Sequence, residues 1–589
     1  MLRLDQLLAL APARRTANRD PRARQPMTTT LSSPTTPGRV ENGDARRWHG
    51  RVRIIAHVTI WLTMVISAAW SIRHGWVPWW DNTTIAARSR AELSLSPVLV
   101  GQFSQASHGA ELIYSAGPLE YLLLALPTTV LSLVGPLLGA SVVAAALGST
   151  AIEACRRAAG SRGLVAATIL VLALLMSAPV LGSDPVWNPY FGTFAFIATI
   201  ACAWSLSTGA WRWGPATVIT ASVAMQCHSA FIVPTIACVV VGFAGGLAAS
   251  RGHRARLVAW SALAGVLCWL LPLVDQLAGS RNLSKLAGAN AHGHVLGVRF
   301  GLQMVARAMW GVPLFLRRYP VSAVDSRVLS DGLQAGAAMV LLLVIVGLTA
   351  VAARRGRSSQ AWLGALVIAV ALGLAVTFSL IPVDRSIVLR YVDILLWPFS
   401  ILLWSFVIWS GLAAIVDVAP SWTRSTAAHS RRSVVEGTRV RAQMAAVTIL
   451  LAGALATCWA IPGARPSMVA AHESSVLALR IERAVPRGAV NLVVIRSLGS
   501  GPGFGDELAI AYRLRVDGWS PGVDPSASEQ LGPTYRWRSG ARVAVLVCTP
   551  GCRSIALLVR PGAPHTPATA ASLDSPGGFV GHLLERVRS

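Results

Sequence analysis

The stretch from Ile54 to Ile72, IIAHVTIWLTMVISAAWSI, is followed closely by Trp79-Trp80-Asp81-Asn82. The first stretch is an almost uninterrupted apolar run of the length that crosses a bilayer as a helix. Tryptophan prefers the boundary between lipid and water, so the tryptophan pair predicts that Asp81 lies at a membrane surface. We expect the rest of the chain to be organised around Asp81 and the segment that follows it.

That segment is polar and broken by glycine and proline before it enters the apolar run from Leu122 to Leu138. Irregular backbone is tolerated at membrane depth only where protein or a wet cavity covers it. The pattern is typical of a membrane-embedded active site, and it is equally typical of an ordinary structured loop.

The composition excludes a soluble protein. Hydrophobic residues make up 53% of the chain and charged residues only 13%, and many apolar runs approach the length of a membrane span. The formal net charge of +26 comes from arginines that cluster at the ends of these runs, where they report orientation in the bilayer. We therefore expect the lipid bilayer as a partner and no nucleic acid.

Counting arginines by the positive-inside rule predicts about eleven spans in the plasma membrane, with a cytoplasmic N-terminus and an external C-terminus. This count requires that Leu119 to Leu133 form an interfacial or re-entrant helix. Most carboxylates then fall on the external side, which indicates that the chemistry faces outward. The predicted spans are Ile54–Ile72, Gly139–Cys155, Leu164–Leu181, Tyr190–Leu206, Pro215–Phe231, Ile232–Ala249, Leu257–Val274, Leu333–Ala353, Trp362–Ile381, Ile394–Val416 and Met444–Ile461.

Two segments flank the membrane domain predicted for residues 53–461. Residues 1–52 are rich in Arg, Thr, Ser and Pro and predict a disordered cytoplasmic segment, within which Met1 or Met27 is the true start. Residues 462–589 have the composition of a small external α/β domain. Its predicted strands and helix are Val490–Ile495, Arg542–Val547 and Ser554–Val559, with a helix at Asp506–Val516.

Cys548 and Cys552 lie across a turn between two of those strands. In an external compartment this arrangement predicts a disulfide.

Several short strings in the predicted external loops occur in an informative order. They are Val100-Gly101-Gln102-Phe103-Ser104, Gly117-Pro118-Leu119-Glu120-Tyr121, Val186-Trp187-Asn188-Pro189, Gln226-Cys227-His228 and Leu389-Arg390-Tyr391. From Asp81 to about Trp404 the chain resembles the GT-C superfamily of integral membrane glycosyltransferases, and in particular uncharacterised actinobacterial members. In that superfamily an acidic residue follows the first helix, interfacial helices lie in the first external loop, and later loops bind the donor phosphate. Asp81, Leu119 to Leu133, and Asp384 to Tyr391 stand in those places.

The resemblance implies a GT-C-like fold and transfer of a sugar from a polyprenyl-phosphate donor to an external cell-envelope glycan or lipid. Asp81 would then be the general base that accepts the proton of the acceptor hydroxyl. Arg385 or Arg390 would hold the departing phosphate, for which a guanidinium is well shaped. For Asp81 the alternative is a helix cap or a salt bridge to Arg88 or Arg90. For Arg385 and Arg390 it is simple pairing with Asp384 and Asp393.

Other residues are candidates for substrate binding, and each has a structural alternative. His228 could donate to substrate, help bind a metal or be a hydrogen-bonded packing residue. Trp187 could stack on a sugar or form a rigid turn with Asn188. The full set is His108, Glu120, Trp187, Asn188, His228, Arg385, Arg390 and Tyr391.

Cofactors are unknown at this stage. Asn82 stands where better-known members of the superfamily have a second acid, so a divalent metal stays open. The run from Gly499 to Gly505 lacks the lysine of a phosphate-binding loop, and no nucleotide cofactor is expected.

A different class of function competes with the enzyme. The chain could be a lipid-linked-glycan transporter or a non-catalytic scaffold of envelope assembly, because a fold resemblance does not establish an activity. A transporter predicts internal repeats and midplane charges in broken helices, and the sequence shows neither clearly.

Overall fold

The computed structural model describes residues 41–104, 112–289, 294–310, 312–319, 331–383, 388–418, 453, 492–497, 502–523, 525–536, 543–548 and 555–560. The chain divides into two compact units, Met1–Gly50 and Arg51–Ser589. In the first unit the described part is the beginning of a helix, so residues 41–50 are helical where the sequence predicted disorder.

The second unit is dominated by apolar helices, in which backbone N–H and C=O groups pair with one another within the helix. Within the described residues, eight helices are long and apolar enough to cross a membrane. The predicted class, a polytopic α-helical membrane protein, is confirmed. Up to residue 420 the helices are α1 (Glu41–Arg73), α2 (Asp81–Ala91), α3 (Leu119–Val130), α4 (Gly135–Ser177), α5 (Val180–Ser183), α6 (Asn188–Ser207), α7 (Trp213–Cys227), α8 (Ile232–Ala249), α9 (Arg254–Ala278), α10 (Asn282–Gly288), α11 (Gly297–Met309), α12 (Asp331–Arg354), α13 (Ser358–Ser379) and α14 (Leu396–Val418).

Helix α4 is a hairpin and not one rod. Gly160 has a φ of 69°, which glycine adopts without strain. A Cβ added to Gly163 would lie 2.3 Å from the carbonyl oxygen of Cys155. In a straight helix eight residues would span about 12 Å, so the chain reverses at Gly160. The two arms correspond to the predicted spans Gly139–Cys155 and Leu164–Leu181.

With α4 divided in this way, each predicted span before residue 420 coincides with a described helix. Helix α7 is the shortest of them, with 15 residues, which is less than a bilayer normally requires. The last predicted span, Met444–Ile461, lies outside the described residues except for Gly453.

Helix α3 is too short to cross a bilayer and contains Pro127, as expected of an interfacial or re-entrant piece. It lies tightly against the beginning of α4. Cβ atoms added to Gly135 and Gly139 would lie 2.1 Å from the Pro127 carbonyl oxygen and 2.5 Å from its Cγ, respectively. Glycine at both positions therefore permits this close backbone approach.

Helix α6 is the centre of the bundle, since 89% of its most apolar stretch is buried inside the protein. Small residues let its neighbour α8 come close, because a Cβ on Gly242 would lie 2.9 Å from Cα of Ala203. The first residue of α6, Asn188, lies at the candidate site described below.

The C-terminal part forms a small α/β structure, as predicted. Its elements are β1 (Leu492–Ser497), α15 (Pro502–Val516), β2 (Pro521–Val523), α16 (Pro525–Leu531), β3 (Val543–Cys548) and β4 (Ile555–Arg560). The sheet has the order β2-β1-β3-β4, with β1 parallel to β2 and β3, and β4 antiparallel to β3.

This α/β part shares a hydrophobic core with α2. Ala86 and Ala87 of α2 are buried among side chains of α15 and α16 and the residues after them. Arg88 of α2 also donates from Nε to the Gln530 carbonyl oxygen at 2.8 Å and from a terminal nitrogen to the Glu529 carbonyl oxygen. The C-terminal part is therefore fastened to the short helix that begins at Asp81.

Candidate active site around Asp81

Asp81 is held at the start of α2 by a strained turn. The preceding residue, Trp80, has a φ of 53°, a conformation that a bulky side chain rarely adopts. Such strain costs about 1–3 kcal/mol and is found where the surrounding structure enforces it, often at functional sites. The side chain of Trp80, together with those of Trp76 and Trp79, lies beside Asp81.

The Asp81 carboxylate accepts two hydrogen bonds from distant parts of the chain. Trp187 Nε1 donates to Oδ2 at 2.8 Å, and Gln102 Nε2 donates to Oδ1 at 3.3 Å. Gln102 is itself fixed, because its Oε1 accepts from the hydroxyl of Tyr121 at 2.9 Å. The loop at 100–104, the start of α3 and the start of α6 thus converge on this carboxylate.

The two arginines that follow Asp81 in α2 have other partners in the structure. Arg88, one of the two arginines with which it could have paired, is directed instead to carbonyl groups of α16. Arg90 lies beside Tyr512 of α15. Burial raises the pKa of Asp81 above its ordinary value, and this effect outweighs the hydrogen bonds from Trp187 and Gln102, which favour the charged form.

A second carboxyl group, Asp184, faces the same cavity. Asn82 Nδ2 donates to both of its oxygens at 2.9 Å, and Trp76 Nε1 donates to Oδ1 at 3.2 Å. Burial raises the pKa of Asp184 to about 6, while the donors Asn82 and Trp76 oppose that rise. Sequence reasoning did not include Asp184 among the site residues. Its position could have indicated a role at the site, because Asp184 lies three residues before Trp187 in the same predicted external loop.

A cavity of about 270 Å³ lies between the two carboxyl groups. Aromatic rings form much of its wall, and rings of this kind can stack on a sugar or exclude water from a charged group. The lining residues are Trp76, Val77, Trp79, Trp80, Asp81, Asn82, Val180, Ser183, Asp184, Trp187 and Tyr190.

An aromatic row connects this cavity to His228. The ring of Trp187 lies 4.8 Å from those of Tyr190 and Tyr391, measured between centroids. His228 Nε2 is 3.0 Å from the Tyr391 hydroxyl, and His228 Nδ1 accepts from the Ala230 backbone at 3.1 Å. The structure therefore brings Asp81, Trp187, Tyr391 and His228 together.

Two other predicted residues lie at the edge of this group. Asn188 is buried and donates to the Cys227 carbonyl oxygen at 2.8 Å, so it ties the start of α6 to the end of α7. Glu120 is buried in the first turn of α3, and burial together with the charge of Asp81 raises its pKa well above the ordinary value. Glu120 is therefore more readily protonated than an exposed glutamate.

The remaining predictions fall on residues that the structure does not describe. His108, Arg385 and Cys552 lie outside the described residues, as do the side chains of Arg390 and Cys548. The predicted phosphate-binding arginines and the predicted disulfide therefore stay predictions.

The described residues contain no group of three or more His, Cys, Asp or Glu side chains that could hold a metal ion.

No known protein family matches the chain. No curated protein matches it. Among solved structures, the chain is similar to the crystal structure of ArnT from Cupriavidus metallidurans bound to undecaprenyl phosphate, at 13% identity and a TM-score of 0.49. The similarity covers 88% of this chain and 94% of that one.

Proposed function

We propose that the chain is a membrane glycosyltransferase that moves a sugar from a polyprenyl-phosphate donor to an external cell-envelope acceptor. One observation carries this proposal. A half-buried carboxylate, Asp81, is held by an indole and an amide at the wall of a tryptophan-lined cavity, and its pKa is raised. The order of motifs that resembles the GT-C superfamily supports the same reaction class.

In this reaction an acceptor hydroxyl attacks the anomeric carbon of the donor sugar. The new glycosidic bond forms as the bond between that carbon and the phosphate oxygen breaks. The hydroxyl proton passes to Asp81, and the polyprenyl phosphate leaves with the electron pair. A raised pKa makes the ionised Asp81 a stronger base at neutral pH, which is what proton acceptance requires.

The neighbours of Asp81 have distinct parts in this proposal. Trp187 and Gln102 fix the direction of the carboxylate, and the aromatic row of Trp187 and Tyr391 supplies a surface for a sugar ring. Arg385 or Arg390 remains the proposed partner of the departing phosphate, because a guanidinium binds phosphate through two parallel hydrogen bonds.

The proposal includes a topology. The N-terminal segment, residues 1–52, faces the cytoplasm, and the membrane domain of residues 53–461 places Asp81 on the external side. The α/β domain of residues 462–589 is also external. Its core contact with α2, the helix that begins at Asp81, supports placing both on one side of the membrane.

The test is mass spectrometry of cell-envelope glycans from a deletion strain that carries the wild-type gene or Asp81→Asn. The substitution keeps the shape of the side chain and removes the base. The glycan that the wild-type gene produces should therefore form about 100-fold to 10,000-fold more slowly in the Asp81→Asn strain. Glu92→Gln is the matched control, because burial raises the pKa of Glu92 to about 8, so that its side chain is largely protonated at pH 7. Normal glycan in the Asp81→Asn strain would refute the proposed base and favour the transporter or scaffold.

A further inference from the structure

A second cavity, of about 800 Å³, lies in the membrane part of the molecule and is lined almost entirely by apolar side chains. Both arms of the α4 hairpin contribute to it, together with α6, α13 and α14. Gly163, Ala167, Leu170 and Leu174 of the second α4 arm follow one another at helical spacing along its wall.

Two arginines lie at the same end of this cavity. Arg162 comes just after the reversal of α4, and Arg357 is the residue before α13. Ser359 joins these elements, since its hydroxyl donates to the Ala158 carbonyl oxygen at 2.9 Å and its carbonyl oxygen accepts from Trp204 Nε1 at 2.8 Å. The hairpin turn, the end of α6 and the start of α13 are therefore fastened together around the mouth of the cavity.

This mouth is far from the Asp81 site. Trp187, immediately before α6, contacts Asp81, whereas Trp204 in the last turn of α6 lines the large cavity. The 17 residues between the two tryptophans correspond to about 25 Å of helix, which is most of the thickness of the hydrocarbon core. The two cavities therefore lie at opposite ends of α6 and do not form one site.

We propose that the large cavity binds one anionic phospholipid of the surrounding bilayer, with an acyl chain between α4, α6 and α14 and the phosphate at Arg162 and Arg357. Apolar walls suit an acyl chain, and guanidinium groups are the side chains best shaped to bind a phosphate. The cavity is also open toward lipid, because Ile408 and Leu412 of its wall are more than half exposed.

The chain itself offers another occupant, the apolar segment from Met444 to Ile461. Its one described residue, Gly453, lies against Leu172, where an added Cβ would be 3.3 Å from Cδ1. Leu172 is nine residues from Gly163, about 180° around the α4 arm from that glycine, and it does not line the cavity, although Ile169 and Val171 do. Gly453 therefore contacts α4 at a residue outside the cavity wall.

The test is native mass spectrometry of the full chain, purified and delipidated in detergent and then offered equal amounts of dioleoyl phosphatidylglycerol and dioleoyl phosphatidylcholine. The wild-type chain should retain one phosphatidylglycerol in preference to phosphatidylcholine. Arg162→Gln with Arg357→Gln should weaken phosphatidylglycerol binding on the order of tenfold, since both charge-assisted contacts are lost. Arg157→Gln with Arg354→Gln is the matched control, because these exposed arginines belong to the same two turns and do not line the cavity.

A second variant tests the chain-binding part of the cavity. Ala167→Trp narrows it, because the indole occupies space along the α4 wall where the acyl chain would lie, and a thermal melt matching the wild type shows that the variant is folded. This protein should bind both lipids more weakly than the wild-type chain. Equal retention of both lipids by the wild-type chain, equal loss in the two arginine pairs, or unchanged binding in folded Ala167→Trp would each overturn the proposal.

Discussion

The two ends of helix α6 differ in how they hold charge. At the Asn188 end, half-buried carboxyl groups and tryptophan rings line one cavity, and burial raises the pKa of Asp81 and of Asp184. At the Ser207 end, the cavity is apolar and the charged groups are arginines at its mouth. One buried helix thus supports two kinds of site. A desolvated acid can exchange a proton, whereas a permanently charged arginine beside an apolar wall can hold a lipid phosphate without exchanging one.

The Asn188 and Ser207 ends of α6 should lie on opposite sides of the membrane. Leu95, which follows α2, and Arg157, in the α4 turn, are both exposed. In intact cells a membrane-impermeant maleimide should label Leu95→Cys fully and should label Arg157→Cys only after permeabilisation, relative to the chain without either substitution. Labelling of both before permeabilisation would contradict the proposed topology.

A smaller effect is expected from the second carboxyl group. Asp184→Asn removes a charge that orients Asn82 beside Asp81, so transfer at pH 8 should fall on the order of tenfold. At pH 5 the wild-type Asp184 is largely protonated, since its pKa is raised to about 6. The ratio of wild-type to variant rates should therefore approach one as the pH falls. A ratio that stays constant between pH 5 and pH 8 would separate Asp184 from the reaction.

Loss of the Trp187 indole should change the pH dependence of the transfer rate more clearly than the rate itself. Trp187→Phe keeps an aromatic ring but removes the donor to Asp81 Oδ2, and that donor favours the ionised carboxylate. The pKa of Asp81 should rise further, so the midpoint at which transfer increases with pH should move upward. Tyr190→Phe keeps the ring that contacts Trp187 and serves as the control, with an unchanged midpoint.

The mildest predicted change concerns the contact between α2 and the C-terminal part. Arg88→Gln removes hydrogen bonds from a charged donor to two carbonyl groups of α16, and such bonds contribute about 1.5–3 kcal/mol each. Limited proteolysis should release the C-terminal part faster, with transfer reduced only a few-fold. An unchanged cleavage rate would show that the shared apolar core alone holds the contact.

The helices were predictable because long apolar runs have few alternatives in a membrane protein. A turn between Cys155 and Leu164 was also predicted, because Arg156, Arg157 and Arg162 separate two apolar runs. The position of the reversal at Gly160 came from the structure. The start of α1 at Glu41 was not, since polar residues before a span carry no apolar periodicity that would reveal a helix.

The candidate site was predictable in part. Two tryptophans beside an acid pointed to Asp81, and Trp187 was among the predicted substrate-binding residues. The pairing of Asn82 with Asp184 was not predictable, because it joins residues that are 102 positions apart in the chain. In the sequence, Asn82 stands where a second acid was expected. In the structure, its amide donates to such an acid, Asp184. Long-range contacts of this kind depend on how helices pack, which a single sequence does not specify.

The Asp81 site depends on the C-terminal part of the chain through helix α2. Its 11 residues form a rod of about 16 Å, with Asp81 at one end and Ala86 and Ala87 in the core shared with α15 and α16. A chain ending before residue 492 would leave the apolar side of this rod in water. The truncated protein would keep every residue that lines the Asp81 cavity, yet it would lose the surface against which the helix carrying Asp81 is seated.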